Sequence, residues 1–261
     1  VIESVRRRLR RRHLLYSWTR VSTGASGDEV WRLSGRSELY AKISADPEGL
    51  AAEAERARWL IGAGVAAPDP VEQGERDGTG WLISTAVPGR PVSADWPAHL
   101  RAPVVAAFAR LARRLHDLPA GGCPFHRGLD TAVPLARERT AAGAVDPEDF
   151  DDERRGASPE EALAELEARR PAEPAADAAV CHGDLTGDNV LVDPATLEWT
   201  GVVDTARLGV SDRHRDLAVA LRDLDGAPYG PPFARAFAHH YGDHLIDGER
   251  LAYYRLLDEF F

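Results

Sequence analysis

Methionine is missing from the 261-residue chain, lysine occurs once and cysteine only twice. Two cysteines, Cys123 and Cys181, do not make a disulfide framework. No apolar run reaches the ~20 residues that a membrane-spanning helix needs, so no membrane partner is expected. The arginine-rich start, residues 1–12, is not followed by a long apolar segment, so it does not read as a secretory signal, and the cytoplasm is the expected compartment. Positive charge is also in short supply: 32 Lys and Arg stand against 42 Asp and Glu, a net charge of −10. That balance argues against a nucleic-acid partner and suits a cationic ligand. Aliphatic content is ample and charge is mixed, which excludes disorder. The length allows a large core and two lobes, and no internal repeat is visible.

The shortage of lysine singles out one position. Lys42 is the only lysine, and every other strongly basic residue is arginine. An ammonium is a compact charge on a thin stem, whereas a guanidinium is a planar fork. A slot for one cation between phosphates and a carboxylate fits the first and crowds the second. Leu39, Tyr40, Ala41 and Ile43 place Lys42 in a strand. A helix follows over 48–62, and Glu53 on it can pair with Lys42, with Glu55 as the rival candidate.

The richest stretch is Val180-Cys181-His182-Gly183-Asp184-Leu185-Thr186-Gly187-Asp188-Asn189, with Val190 to Asp193 behind it and a second apolar run ending at Asp204. Apolar runs that stop at carboxylates read as buried strands delivering polar groups to a site. The spacing suits phosphoryl transfer: one Asp receives or orients the proton of an attacking hydroxyl, while an Asn and a second Asp hold Mg²⁺. Magnesium takes oxygen ligands and completes its shell with phosphate oxygens, so a carboxylate and an amide are enough.

Other segments are arranged around these two. A helix is expected over 4–15, with Val5, Leu9 and Leu14 or Leu15 as its apolar side and its arginines solvated. A small-residue loop, Ser22 to Asp28, lies between strands at 18–21 and 30–33 and suits the approach of phosphates to backbone N–H groups. A buried strand over 81–87 runs into Pro88-Gly89, whose exposed backbone could bind an adenine edge. Helices are expected over 104–118, 159–170, 233–241 and 248–261. Acids gather at Asp146, Glu148, Asp149, Asp151, Asp152 and Glu153, either as a solvated helix start or as a wall for a polycation. Residues 205–216 read as a polar loop opening a helix.

Taken together, Leu39-Tyr40-Ala41-Lys42, Glu53 before Trp59-Leu60, Cys181-His182-Gly183-Asp184 with Asn189, Val203-Asp204 before Arg207-Leu208-Gly209, Asp212-Arg213 with Asp216-Leu217-Ala218, and the ending Leu256-Leu257-Asp258-Glu259-Phe260-Phe261 resemble the aminoglycoside 3′-phosphotransferase family, and its actinomycete members in particular. The resemblance covers essentially the whole chain. It implies an α+β, two-lobed protein-kinase-like fold: a small β-rich nucleotide-binding lobe over 1–87 and a larger, mostly helical catalytic lobe over 88–261. It further implies ATP and Mg²⁺ as cofactors, a monomer or weak dimer, and resistance to aminoglycosides as the outcome. Tyr40 would stack on adenine, Thr85, Ala86 and Val87 would meet its edge, and Ser26, Gly27 and Lys42, the last held by Glu53, would handle phosphates. Asp184 would be the base, with Asn189 and Asp204 on the metal. Asp151, Asp152, Glu153, Arg207, Arg222, Asp223, Glu259 and the Phe261 carboxylate would form the aminoglycoside site. Three departures stand out from the family pattern: Thr205-Ala206 before Arg207, Thr186-Gly187-Asp188 with a charge at Asp188 beside the base, and Tyr229-Gly230-Pro231 in a shortened connection.

Overall fold

The computed structural model describes residues 1–21, 28–172 and 177–261. Its contacts divide the chain into two compact units, one of residues 1–89 with 200–206 and one of residues 90–199 with 207–261. Among the described residues no helix is long and apolar enough to cross a membrane.

The first unit opens with α1 (Ile2–Arg12), followed by β1 (Ser17–Val21), β2 (Glu29–Ser34), β3 (Glu38–Ser44), α2 (Pro47–Gly62), β4 (Pro70–Arg76) and β5 (Thr79–Thr85). The strands form one antiparallel sheet in the order β1-β2-β3-β5-β4. Alternation decides which side of β3 is core. Leu39, Ala41 and Ile43 are buried, while Tyr40 and Lys42 point the other way. Asp46 caps α2 by accepting from Gly49 N–H at 2.9 Å, and Pro47 starts the helix without needing an amide partner.

The N-terminal helix differs from its expected form in extent and in role. It stops at Arg12, where His13 N–H closes on Leu9 O, so Leu14 and Leu15 fall beyond it and stand 79 % and 83 % exposed. Val5 and Leu9, with the partly buried Ile2, supply its apolar side, packing with Leu33, Leu39, Ile43, Trp81 and Ile83. Its arginines are not uniformly solvated. Arg6 pairs with Glu29 at 2.9 Å, Arg12 with Glu72 at 2.8 Å, and Arg10 lies 4.8 Å from the Trp31 ring centre.

The second unit begins with β6 (Arg90–Pro91), α3 (Ala98–His116), α4 (Leu129–Ala141), α5 (Pro159–Ala168), β7 (Ala178–Cys181) and β8 (Val190–Val192). From Thr200, within β9 (Trp199–Val202), the chain belongs to the first unit, then completes the second with β10 (Gly209–Asp212), α6 (His214–Asp225), α7 (Pro231–Tyr241) and α8 (Gly248–Asp258). β6 pairs antiparallel with β8, and β7 with β10. β10 lies in the segment that reads as a loop. Its Ser211 and Asp212 are buried although polar, so no apolar alternation marks it. Asp212 is satisfied there by His214 Nδ1 at 2.6 Å and by Arg250. Because Asp247 N–H donates to His214 Nε2 at 2.9 Å, the His214 proton sits on Nδ1 and faces Asp212. The acidic segment near residue 150 forms two single 3₁₀ turns, Pro147–Asp149 and Asp152–Arg154, in place of a helix start. Tyr253, Tyr254, Leu256, Leu257 and Phe260 of the chain end pack into a core with residues of α4 and α5.

Candidate active site

In the first unit, three expected residues come together. Lys42 Nζ donates to Glu53 Oε1 at 2.8 Å and to Oε2 at 3.0 Å, and lies 3.2 Å from Asp204 Oδ1. Glu55, the rival partner, is exposed. Burial lowers the ammonium's pKa, but the charges of Glu53 and then Asp204 more than offset it, leaving it above the ordinary lysine value. Lys42 therefore stays charged through the neutral range.

Asp204 does not end a strand, as the apolar run before it implied. β9 stops at Val202, and Asp204 takes a left-handed backbone conformation with φ of 59°, which short polar side chains tolerate best. Its side chain is 46 % exposed, against 10 % for Glu53, so it reaches solvent where Glu53 does not. Thr205, one of the departures from the family pattern, has a structural role. It is buried, and its hydroxyl donates to Glu53 O at 3.3 Å, tying the Asp204 loop to the helix that holds Lys42.

The nucleotide-edge candidates lie at the end of β5. Thr85 N–H donates to Asp69 O and Ala86 N–H to Glu38 O, each at 3.0 Å. Among the described residues no partner is recorded for Val87 N–H, which makes Val87 the amide of the three that a ligand could use. Tyr40 is half-buried, opposite Ser84 and Arg32 in the sheet. Ser26 and Gly27 fall outside the described residues.

In the second unit, the turn after β7 carries Asp184. Asn189 Nδ2 donates to Asp184 O at 2.8 Å and to its Oδ2 at 3.1 Å, fixing one carboxylate oxygen and turning the amide oxygen of Asn189 away as an acceptor. The turn requires Gly183, whose φ is 85°, and an added Cβ would sit 2.3 Å from Arg207 O. Asp216 secures it from below. Its Oδ2 accepts from His182 N–H at 2.7 Å and its Oδ1 from Gly183 N–H at 2.8 Å, while His116 Nε2 lies 3.1 Å from Oδ2 and the other ring nitrogen, Nδ1, lies 2.8 Å from Tyr241 OH.

Asp216 is wholly buried. Burial raises its pKa, but the hydrogen bond and charge of His116, then the charge of His182 and the Gly183 amide, bring it below the usual carboxylate value. A depressed carboxylate contributes stability above its unfolded pKa, and that stability is lost as pH falls through the folded one. Asp216→Asn would turn an N–H donor toward a backbone N–H. It is expected to cost ~1–3 kcal/mol at pH 7 by denaturant unfolding, and to shrink the difference in stability between pH 7 and pH 3. Wild-type stability at both pH values would rule out this anchoring role.

The residues expected for substrate separate into three groups. Glu259 accepts from Asp151 N–H at 3.2 and 3.3 Å and from Arg154 at 3.4 Å, and its side chain is 2 % exposed. It therefore acts as an anchor for Asp151 and does not face solvent as a ligand would require. Arg222 pairs with Asp258 at 2.5 Å and lies 3.8 Å from Asp151. Asp152, paired with Arg155, and Glu153 are open to solvent. In the second group, Asp223 accepts from Gly187 N–H at 2.7 Å, linking α6 to the Asp184 turn, and burial raises its pKa, with Asp188 and Asp184 adding to the rise. In the third, Arg207 donates to Phe261 O at 3.2 Å and Arg139 to Phe260 O at 2.6 Å. Arg207 thus holds the oxygen of Phe261 and Arg139 the carbonyl before it.

A sheet unit holding a Lys–Glu–Asp cluster, together with a helical unit holding an Asp–Asn turn, defines a phosphotransferase of kinase-like fold. The chain belongs to the phosphotransferase enzyme family (APH), whose pattern matches residues 17–254. It is similar to an aminoglycoside 3′-phosphotransferase of Streptomyces fradiae, with 47 % identity over 97 % of this chain and 98 % of that protein. Among solved structures it is similar to the aminoglycoside-3′-phosphotransferase of type VIII, with a TM-score of 0.93 and 48 % identity over 100 % of this chain and 99 % of that one. It is also similar to aminoglycoside phosphotransferase APH(3″)-Id of Streptomyces rimosus in complex with ADP and streptomycin, with a TM-score of 0.86 and 30 % identity over 99 % and 98 % of the two chains.

Proposed function

We propose that the protein transfers the γ-phosphoryl group of ATP to the 3′-hydroxyl of aminoglycosides of the kanamycin and neomycin type, inactivating them and conferring resistance. The observation that carries this reading is the near full-length similarity to aminoglycoside 3′-phosphotransferases in a chain that retains Lys42, Glu53, Asp184, Asn189 and Asp204. In this reading residues 1–87 bind the nucleotide. Tyr40 stacks on adenine, Val87 N–H meets its edge, Ser26 and Gly27 approach the phosphates, and Lys42, aimed by Glu53, holds them. Residues 88–261 bind the aminoglycoside and supply the base. Asp184, oriented by Asn189, receives the proton of the 3′-hydroxyl as its oxygen bonds to the γ-phosphorus and the bond to the ADP oxygen breaks.

The donor set fits Mg²⁺, since Asn189 offers an amide oxygen and Asp204 a partly exposed carboxylate, both hard oxygen ligands. When bound, the ion would neutralise phosphate charge. The enzyme works in the cytoplasm as a monomer or weak dimer, with neither membrane nor nucleic acid as a partner. A coupled ADP-release assay tests the reading. Turnover is expected with kanamycin and neomycin and not with a 3′-deoxy analogue. Turnover of streptomycin alone would move the assignment to the 3″ position, which the streptomycin complex of the Streptomyces rimosus relative favours.

A further outcome concerns substrate charge. Asp151, Asp258 and Glu259 carry three negative charges against two on Arg154 and Arg222, leaving that network one negative charge, with Asp152 and Glu153 beyond it. Asp151→Asn with Asp152→Asn is expected to raise the aminoglycoside KM several-fold at low salt, with the effect fading at high salt because exposed charges are screened. An equal KM under both conditions would return these acids to ordinary surface.

A further inference from the structure

Residues 200–206 belong to the first unit, although the residues on either side of them belong to the second. The segment is pinned to the first unit at both ends. At its entry, Val202 N–H donates to Ala66 O at 2.9 Å. Gly201 permits that approach, since a Cβ there would sit 2.3 Å from the same oxygen. At its exit, the hydroxyl of Thr205, a residue only 1 % exposed, donates to Glu53 O at 3.3 Å. Asp204 lies between the two pins. Its left-handed backbone, with φ of 59°, is one that a non-glycine residue keeps only where its surroundings impose it. Glu53 is thereby engaged twice, by its carboxylate at Lys42 and by its carbonyl at Thr205. Thr205 follows Asp204 directly in the chain, so one hydroxyl ties the Asp204 carboxylate to the same helical residue that aims Lys42.

We propose that Thr205 is a positioning residue for the metal-bound nucleotide: its hydroxyl holds Asp204 in place beside Lys42 before any ligand arrives. This role rests on the assignment of Asp204 to Mg²⁺ above. Without the hydroxyl the Asp204 loop would populate other conformations, and affinity for the metal-bound nucleotide would fall with the fraction that remains competent. Nucleotide without metal would be little affected, because Glu53 still holds Lys42 through both carboxylate oxygens.

The test is calorimetric titration of the full chain with ADP, once in Mg²⁺ and once in EDTA. Wild type is expected to bind ADP more tightly in Mg²⁺. Thr205→Val keeps the shape of the side chain and removes its donor. Its ADP binding should weaken about fivefold in Mg²⁺, the worth of one buried hydrogen bond, and by less than about twofold in EDTA. Thr205→Ser, which keeps the hydroxyl, should regain most of the Mg²⁺-dependent affinity. In steady-state kinetics the KM for MgATP should rise in Thr205→Val by more than kcat falls. Equal weakening in Mg²⁺ and in EDTA would make Thr205 a structural residue only and overturn the proposal. So would a wild-type response to Mg²⁺ in Thr205→Val, or a serine variant no better than the valine one. A wild type whose ADP affinity ignores Mg²⁺ would fail differently, by removing Asp204 from the metal and with it the basis for the role of Thr205. Circular dichroism and Tm check folding, and if Thr205→Val does not fold, Thr205→Ala is measured in its place against the same outcomes.

Discussion

Asp184→Asn is expected to lower kcat by on the order of 10²–10⁴-fold while leaving MgATP binding largely intact. The substitution keeps size and shape, and the Asn189 side chain still donates to the backbone oxygen of residue 184, so the turn is retained. What disappears is a proton acceptor. A neutral amide in its place cannot take the proton of the attacking hydroxyl. The side chain has no part in the Lys42 cluster, which is held by Glu53 and Asp204. Single-turnover kinetics with saturating ATP and aminoglycoside measure the effect, and turnover at the wild-type rate would remove Asp184 from the role of base.

Lys42→Arg is expected to cost nearly as much despite preserving the charge. The ammonium sits on three oxygens at 2.8, 3.0 and 3.2 Å, from two carboxylates on different elements. A guanidinium is longer and planar, and it can match Glu53 through a paired contact only by moving its charge centre away from Asp204. Misplacement of a reacting group by about 1 Å can cost ~10²-fold in rate, and a loss of that order in kcat/KM for ATP is expected. Because Lys42 is held above the ordinary lysine value, it remains protonated across neutral pH, and the variant's loss should be the same at pH 6.5 and pH 8.5. An unchanged kcat/KM would show that charge alone suffices at this position.

The parts of the site that were legible in the sequence are those where one chemical rule dominates. A single lysine in an alternating strand, a glutamate on the following helix and an Asp-x4-Asn turn are local patterns, and the Lys42–Glu53 and Asp184–Asn189 pairs follow from them. What was not legible depends on partners distant in sequence. Thr205 reads as an anomaly until Glu53 O, 152 positions earlier, accepts its hydroxyl. β10 is hidden because its buried Asp212 is matched by side chains from α6 and α8. Asp216, also expected only as part of a motif, turns out to support the catalytic turn through two amides more than thirty positions away. The resemblance places Glu259 in the aminoglycoside site, and only the fold encloses it against Asp151 and Arg154. Leu14 and Leu15 continue a helical pattern by type, yet the chain leaves the helix before them.

The position of the transferred phosphate on the product is the most direct test of the proposed activity. Kanamycin treated with the enzyme and ATP can be isolated and its phosphorus-to-proton couplings assigned by NMR. Coupling of the phosphorus to the proton on the 3′ carbon is the expected result. Coupling to a proton on any other carbon, or the absence of a phosphorylated product from an enzyme that binds ATP, would contradict the 3′-hydroxyl as the acceptor.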